Sequence, residues 1–169
     1  MKICQLPTLA ALLTSGLLLG SCASKDVAPA SQTLYERLGK TDGVTKIVDG
    51  LLVNVAAETA LSSSVLLRSH KPLLDAVNGV NGAAPTDPAR LQRLRTNFIN
   101  QLGEATGGPL TYTGKSMLAA HAGMNITTNE YAVWFSQWEN TLSANKVVGQ
   151  DRSDLNAIIN RMQSDVVGH

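Results

Sequence analysis

Residues 104–127 have the sequence EATGGPLTYTGKSMLAAHAGMNIT and contain a single histidine, His121. Small or apolar residues surround it, with alanine or glycine at positions 119, 120, 122 and 123. An alanine at position 121 would pack equally well, so the imidazole itself needs an explanation. A lone histidine on an apolar helix is more often part of a packed core than a ligand.

Helices are predicted on both sides of this segment. After it, Thr127 and Glu130 form a capping box that starts a helix. The apolar face of that helix contains Tyr131, Trp134, Phe135, Trp138 and Leu142. Before the segment, Asp87 is expected to cap a helix that has Pro88 at its first position. The buried stripe of this earlier helix contains Leu91, Leu94, Phe98, Ile99 and Leu102, and its end is marked by Gly107 and Gly108.

The remaining helices follow the same apolar periodicity. Residues 33–39 predict a short helix that ends at Gly39, and Asp42 is expected to cap the next helix. The apolar face of that second helix contains Val44, Ile47, Val48, Leu51, Leu52 and Val55. A last helix is predicted from about Asp151, and its inward residues are Leu155, Ile158, Ile159, Met162 and Val166. Because no stretch shows the sustained alternation of a β-strand, the predicted fold class is all-α.

The first residues predict export and lipid attachment. Lys2 precedes an apolar run, which ends in Leu-Gly-Ser-Cys with Cys22 as the cysteine. This pattern resembles a bacterial lipoprotein signal, so residues 1–21 are interpreted as a signal peptide and Cys22 as the lipid-bearing residue. An ordinary secretory signal is the alternative. Residues 22–32 are expected to form a flexible tether, followed by the domain at residues 33–169.

The expected location is therefore the bacterial cell envelope, with the domain anchored to a membrane through the lipid on Cys22. By resemblance to lipoprotein sorting signals, Ser24 favours the periplasmic face of the outer membrane. Cys4 would be removed with the signal peptide, which leaves Cys22 without another cysteine in the mature chain. No internal disulfide is therefore predicted.

Composition and motifs argue against several function classes. The formal net charge is +1, which gives no electrostatic case for nucleic-acid binding. The three histidines are His70, His121 and His169, and none has a second metal-ligating side chain at the usual spacing. A zinc site made by the protein alone is therefore not expected. The sequence also lacks the signature motifs of hydrolases and nucleotide-binding enzymes.

One class of site fits a single histidine in apolar surroundings. Haem iron takes four nitrogens from its porphyrin and one imidazole from the protein. The rest of such a site is an apolar slot that holds the macrocycle and excludes water. We expect a backbone carbonyl one turn upstream of His121 to accept its second N–H and fix its tautomer.

Four segments resemble the truncated haemoglobins of the first group, and they occur in that family's order. They are LYERLG at 34–39, IVDGLLVNVAAE at 47–58, the segment at 104–127 and MQSDVV at 162–167. The resemblance covers about residues 33–167, and its middle motif is the most specific part. It implies a two-over-two helical sandwich around haem b. It also implies that His121 is the proximal iron ligand and that Met117, Tyr112 and Tyr131 line the haem.

The chain departs from the family pattern on the distal side, where a gas would bind. Ser64 and Val65 stand where the family usually has a pair of phenylalanines. The positions of the family's distal tyrosine and glutamine correspond to Leu52 and Phe98, with Leu94 between the helices that carry them. These three residues are expected to contact the cofactor and to make the distal side apolar.

An insertion occupies about residues 66–87, where the family has a shorter connection. It predicts one short helix with Pro72 in its first turn, which two Asn-Gly pairs and Pro85 then interrupt. His70 lies within the insertion and could act as a sixth iron ligand. A solvated loop histidine is the favoured interpretation of His70.

The predicted function is the binding of small gases, O2, NO or CO, at a haem iron held by His121. A hydrogen bond to a charged or strongly polar ligand contributes about 1.5–3 kcal/mol, so an apolar distal side predicts weak retention of O2. Enzymatic activity is not favoured, because the groups that would hold dioxygen for nitric oxide dioxygenation are absent. The alternative function is that of a globin-derived envelope lipoprotein that has lost haem and acts as an interaction or structural module. The sequence identifies no redox partner.

Overall fold

The computed structural model describes residues 31–169, which form eight α-helices joined by turns and loops. The helices are α1 (Leu34–Arg37), α2 (Lys40–Thr59), α3 (Leu67–Asn78), α4 (Arg90–Ala105), α5 (Met117–His121), α6 (Thr128–Ala144), α7 (Gly149–Asn160) and α8 (Gln163–Val166). Within this part of the chain there is no β-strand, and one isolated parallel bridge pairs Ile126 with Val167. The predicted all-α class is confirmed. The predicted signal peptide and Cys22 lie outside the described residues.

The longest helix, α2, carries much of the core and packs against both α4 and α6. Its buried residues recur at spacings of three and four, which places them on one face. The core contains Val44, Ile47, Val48 and Leu51 from α2, Leu102 from α4, Trp138 and Leu142 from α6, and Leu155, Ile158 and Ile159 from α7. The apolar faces predicted from the sequence for α2, α6 and α7 therefore do meet in one core.

Helices α2 and α4 form one pair, and α6 and α7 form a second pair that is joined by side-chain hydrogen bonds. The Nε1 atom of the fully buried Trp138 donates to Oδ1 of Asn156 at 2.9 Å. Nε of Arg152 donates to the carboxylate of Glu139 at 2.8 Å. The pair α6/α7 thus packs with the pair α2/α4, which is the two-over-two sandwich that the resemblance to truncated haemoglobins implies. No helix within residues 31–169 is both long enough and apolar enough to span a membrane.

Helix α2 starts earlier than the sequence predicts. Its N-cap is Gly39, with φ of 92°, and Asp42 lies inside the first turn. The prediction that Asp42 caps this helix is wrong, because the left-handed conformation of Gly39 reverses the chain directly after α1. Asp42 still lies where a carboxylate interacts favourably with the helix dipole.

One predicted feature of the segment 66–87, the position of Pro72 in its helix, is also wrong. Helix α3 begins at Leu67, so Pro72 lies in its interior rather than in its first turn. The earlier start is stabilised by Glu58, whose carboxylate accepts the backbone amides of Val65 at 2.8 Å and of Leu66 at 3.2 Å. In addition, the Ser64 hydroxyl accepts the amide of Leu67 at 2.9 Å.

The start of α4 differs for a similar reason. It begins at Arg90 with Ala89 as N-cap, so the predicted cap at Asp87 and the first position at Pro88 are wrong. The Asp87 carboxylate instead pairs with the guanidinium of Arg93, and its amide donates to the carbonyl of Ala76 at 2.8 Å. An arginine in the first turn of α4 therefore binds the carboxylate that the local pattern assigned to a cap. Helix α7 begins two residues before Asp151, which is within the usual uncertainty of helix boundaries.

Candidate functional site

A cavity of about 330 Å³ lies among the helices, within the size range of roughly 300–1,000 Å³ for ligand sites. Its wall is mostly apolar and includes residues from α2, α3, α4, α5, α6, α7 and α8. All seven residues that the sequence analysis selected lie on this wall: Leu52, Leu94, Phe98, Tyr112, Met117, His121 and Tyr131. The structure thus brings together side chains that are far apart in sequence. Their contact with a cofactor stays a prediction.

His121 is the last residue of α5 and is half-buried at the cavity. Its Nδ1 atom lies 2.8 Å from the carbonyl oxygen of Met117, one turn upstream, as the sequence analysis expected. A carbonyl oxygen only accepts hydrogen bonds, so Nδ1 must carry the proton. The lone pair of a neutral imidazole is then on Nε2, which is the atom left to bind a ligand or a metal.

The short helix α5 is fixed in place from its N-terminal side. The Ser116 hydroxyl accepts the amide of Ala119 at 3.2 Å and so caps the helix. Immediately before it, the Tyr112 hydroxyl donates to the carbonyl of Lys115 at 2.6 Å. A Cβ atom at Gly114 would lie 2.5 Å from the Tyr112 hydroxyl, so this turn needs a glycine. The Tyr-Thr-Gly motif therefore shapes the loop that leads to His121.

The aromatic stripe of α6 serves both the cavity and the core. Tyr131 and Trp134 line the cavity, with ring centroids 6.1 Å apart. Trp138 stacks on Trp134 at 6.4 Å and is fully buried in the core. Burial raises the pKa of the Tyr131 hydroxyl, which donates to the carbonyl of Ile159 at 3.4 Å. This wall therefore joins the cavity directly to the packed interior.

Two polar residues of α4 on the cavity wall, Asn97 and Gln101, were not predicted from the sequence, and His70 also lies on this wall. Asn97 and Gln101 share one face of α4 with Leu94 and Phe98, and this helical spacing is the signal that could have identified them. The wall thus contains polar side chains beside Leu52, Leu94 and Phe98, the apolar residues that the sequence predicts for the distal side. The interpretation of His70 as a solvated loop residue is wrong, because it is half-buried on α3.

The N-terminal part of α4 is more exposed than its periodicity predicts. Leu91 and Leu94 are each 41% exposed, although both were expected in a buried stripe. Both residues line the cavity. The side chains of Leu91 and Leu94 thus face the cavity instead of packing against another helix. This explains why they follow the periodic pattern of a buried stripe and are nevertheless exposed.

A second, basic pocket adjoins the cavity and shares Leu94, Asn97 and Tyr112 with it. The cationic side chains on its wall are Arg90, Arg93 and Lys115. Arg90 donates to the carbonyl of Pro72 at 3.1 Å, and Arg93 pairs with Asp87. An apolar cavity beside a cationic one suits an amphipathic molecule that has an apolar body and acidic groups at one edge.

Comparisons with known proteins identify the family and the fold of this chain. A family model described as bacterial-like globin matches residues 79–167, just over half of the chain. The truncated haemoglobin of Tetrahymena pyriformis in its Fe(III) form is similar with a TM-score of 0.62 and 21% identity, over 82% of this chain and 100% of that chain. Two point variants of that protein give TM-scores of 0.63 at the same identity and coverage. The chain therefore belongs to the bacterial-like globin family and has the truncated-globin fold, and this membership implies a haem cofactor.

Proposed function

We propose that this protein binds haem b through Nε2 of His121 and uses the haem iron to bind small gases such as O2, NO and CO. The observation that carries the proposal is the hydrogen bond from Nδ1 of His121 to the Met117 carbonyl at 2.8 Å. It fixes the tautomer and directs the free lone pair to Nε2, the form in which a neutral imidazole binds a metal.

The residues that line the cavity and the adjoining pocket suit the polarity and charge of this cofactor. Haem b has a flat apolar body, and the wall offers Leu52, Phe98 and Met117 for contact with it. It also has two carboxylates at one edge, and Arg90 and Lys115 lie in the adjoining basic pocket. The chemistry of both sets of residues therefore supports a tetrapyrrole with acidic side chains.

The haem iron, when bound, supplies the position at which a diatomic gas binds. The chain contributes an apolar wall that excludes water and a small number of polar side chains. Nε2 of Gln101 lies 3.6 Å from the sulfur of Met162, which is a weak acceptor. Its amide can therefore serve as a hydrogen-bond donor for a polar ligand in the cavity. We assign no catalytic residue.

We also propose that the domain is attached to the bacterial envelope by a lipid on Cys22, on the periplasmic face of the outer membrane. This part of the proposal rests on the Leu-Gly-Ser-Cys motif of residues 19–22. Mass spectrometry of the membrane-extracted protein tests it. A mass that corresponds to diacylglycerol and an acyl chain on Cys22 supports it, and a processed chain without lipid contradicts it.

A haemin titration tests haem binding. The wild type is expected to take up one equivalent with a sharp Soret band, and His121→Ala is expected to give a broad, shifted band and weaker binding. His169→Ala is the matched control, because His169 is exposed and is not on the cavity wall. Equal spectra for the wild type and His121→Ala would instead favour a globin-derived module that has lost haem.

A further inference from the structure

We propose that His70 is a second protein ligand of the same haem iron, so that two histidines hold the iron when no gas is bound. This inference rests on the proposed function. His70 lies in the segment between α2 and α4, and the position of α3, the helix that carries it, supports the proposal.

His70 belongs to the cavity. It lies on α3 together with Leu73 and Leu74, and all three line the same cavity as His121. The spacing of three and four residues puts them on one face of the helix. His70 is therefore directed by its helix toward the proposed haem site, together with apolar residues that suit a macrocycle.

The tautomer of His70 is fixed in the same way as that of His121. Nδ1 of His70 lies 2.9 Å from the carbonyl oxygen of Leu66, four residues upstream, and Leu66 itself is buried. The carbonyl accepts, so Nδ1 donates and the lone pair is on Nε2. Both histidines at the cavity thus keep Nε2 available.

The tautomer of His70 distinguishes between two roles in the cavity: binding a metal and donating a hydrogen bond to a gas. A neutral His70 with its proton on Nδ1 has no N–H at Nε2, so it cannot donate a hydrogen bond from Nε2 to a gas in the cavity. Its lone pair can bind a metal, and imidazole is the commonest protein ligand for metals. The geometry of His70 therefore favours a ligand of the iron over a hydrogen-bond donor to a bound gas.

The helix that carries His70 is tied to the loop that follows His121. Arg68 donates to the carbonyls of Met124 at 3.1 Å and Asn125 at 2.9 Å, and its guanidinium also binds the carboxylate of Glu130. The amide of Met124 in turn donates to the carbonyl of His121 at 3.0 Å. The two histidines thus belong to one hydrogen-bonded framework, which reduces the entropy lost when both bind one ion.

Gas binding then requires His70 to leave the iron. The apparent affinity for a gas equals the intrinsic affinity multiplied by the fraction of protein in which His70 is already released. Removal of His70 should therefore raise the apparent affinity for CO, and we expect an increase of roughly tenfold.

Spin state tests the proposal in ferric protein loaded with haemin. Electron paramagnetic resonance should show a low-spin signal for the wild type and a high-spin signal for His70→Ala. His70→Leu keeps the side-chain volume in case the alanine variant folds poorly, and it should also be high-spin. His169→Ala is the matched control, because it removes an exposed imidazole that does not line the cavity.

The outcomes separate the two proposals. Haemin uptake with the same spin state in the wild type and both His70 variants would overturn the role of His70 alone. Failure of the wild type to take up haemin would overturn this role and the proposed function together. A change from low spin to high spin in both His70 variants, with His169→Ala unchanged, supports both.

Discussion

Arg68 of α3 and Glu130 of α6 are joined by two hydrogen bonds, of 3.0 Å from Nε and 2.5 Å from Nη2 of the guanidinium. Glu130 also accepts the amide and hydroxyl of Thr127, at 2.9 and 2.8 Å, and so completes the capping box of α6. One buried carboxylate therefore caps a helix and holds α3 against the site. Burial alone would raise the pKa of Glu130, but these hydrogen bonds outweigh it and lower the pKa from 4.5 to about 2.

The first prediction concerns the pH dependence of stability. Since the pKa of Glu130 is lower in the folded state, its stabilisation is complete above about pH 4.5 and is lost as the pH falls toward 2. We expect Glu130→Gln to lower the free energy of unfolding at pH 7 by about 1.5–3 kcal/mol. Urea unfolding at pH 7, 5 and 3 should show a difference from the wild type that shrinks at the lowest pH. A difference of the same size at all three values would contradict the assignment.

The second prediction concerns the basic pocket. Lys115→Glu and Arg90→Glu should each weaken haemin binding, because each places a negative charge beside the carboxylates of the cofactor. One exposed charge contributes roughly 1 kcal/mol or less, so the expected loss is about fivefold. Titration with haemin dimethyl ester is the control, because this compound lacks free carboxylates and should bind the variants and the wild type alike. Equal losses with both compounds would argue against carboxylate recognition.

The third prediction concerns Gln101. If its amide donates to a polar gas in the cavity, Gln101→Leu should release O2 faster by roughly tenfold, the equivalent of a hydrogen bond of about 1.4 kcal/mol. CO needs a donor less, so its dissociation should change little. Stopped-flow measurements of the O2 and CO dissociation rates of the reduced, haem-loaded protein test this prediction. An unchanged O2 dissociation rate would show that Gln101 donates no hydrogen bond to O2. The prediction of an apolar distal side with weak O2 retention would then stand.

The fourth prediction concerns the loop before α5. In Gly114→Ala the new methyl group would meet the Tyr112 hydroxyl and ring, with 2.5 Å to the hydroxyl oxygen. We expect a loss of about 1–3 kcal/mol in stability, typical of an overpacked site, together with weaker haemin binding. Thr113→Ala is the neighbouring control, because Thr113 is exposed and removing its side chain leaves the turn intact. A Gly114→Ala protein as stable as this control would show that the turn tolerates a side chain.

Helix faces were predictable from the sequence, because their signals are local. The capping box of Thr127 and Glu130 forms as expected, and Trp138 and Leu142 are buried at their predicted spacing. The carbonyl partner of His121 could also be predicted, since it lies four residues upstream on the same helix. Such features depend on neighbours within one turn, which the sequence displays directly.

Features that depend on partners more than one helical turn away could not be predicted in this way. The start of α3 is set by Glu58 on α2, and Asp87 is used by Arg93 instead of by a helix end. The entry of His70 into the cavity depends in turn on α3 and on the contacts of Arg68. No local pattern around residue 70 indicates these contacts, so its interpretation as a loop residue failed.

Rescue by free imidazole tests most directly whether His121 supplies a nitrogen to the haem iron. In His121→Gly the side chain is removed and space is left for a small base. We expect haem-loaded His121→Gly to have an altered absorption spectrum, and we expect added imidazole to restore the wild-type spectrum. A His121→Gly spectrum that already equals the wild type without imidazole, or one that imidazole leaves unchanged, would contradict this expectation.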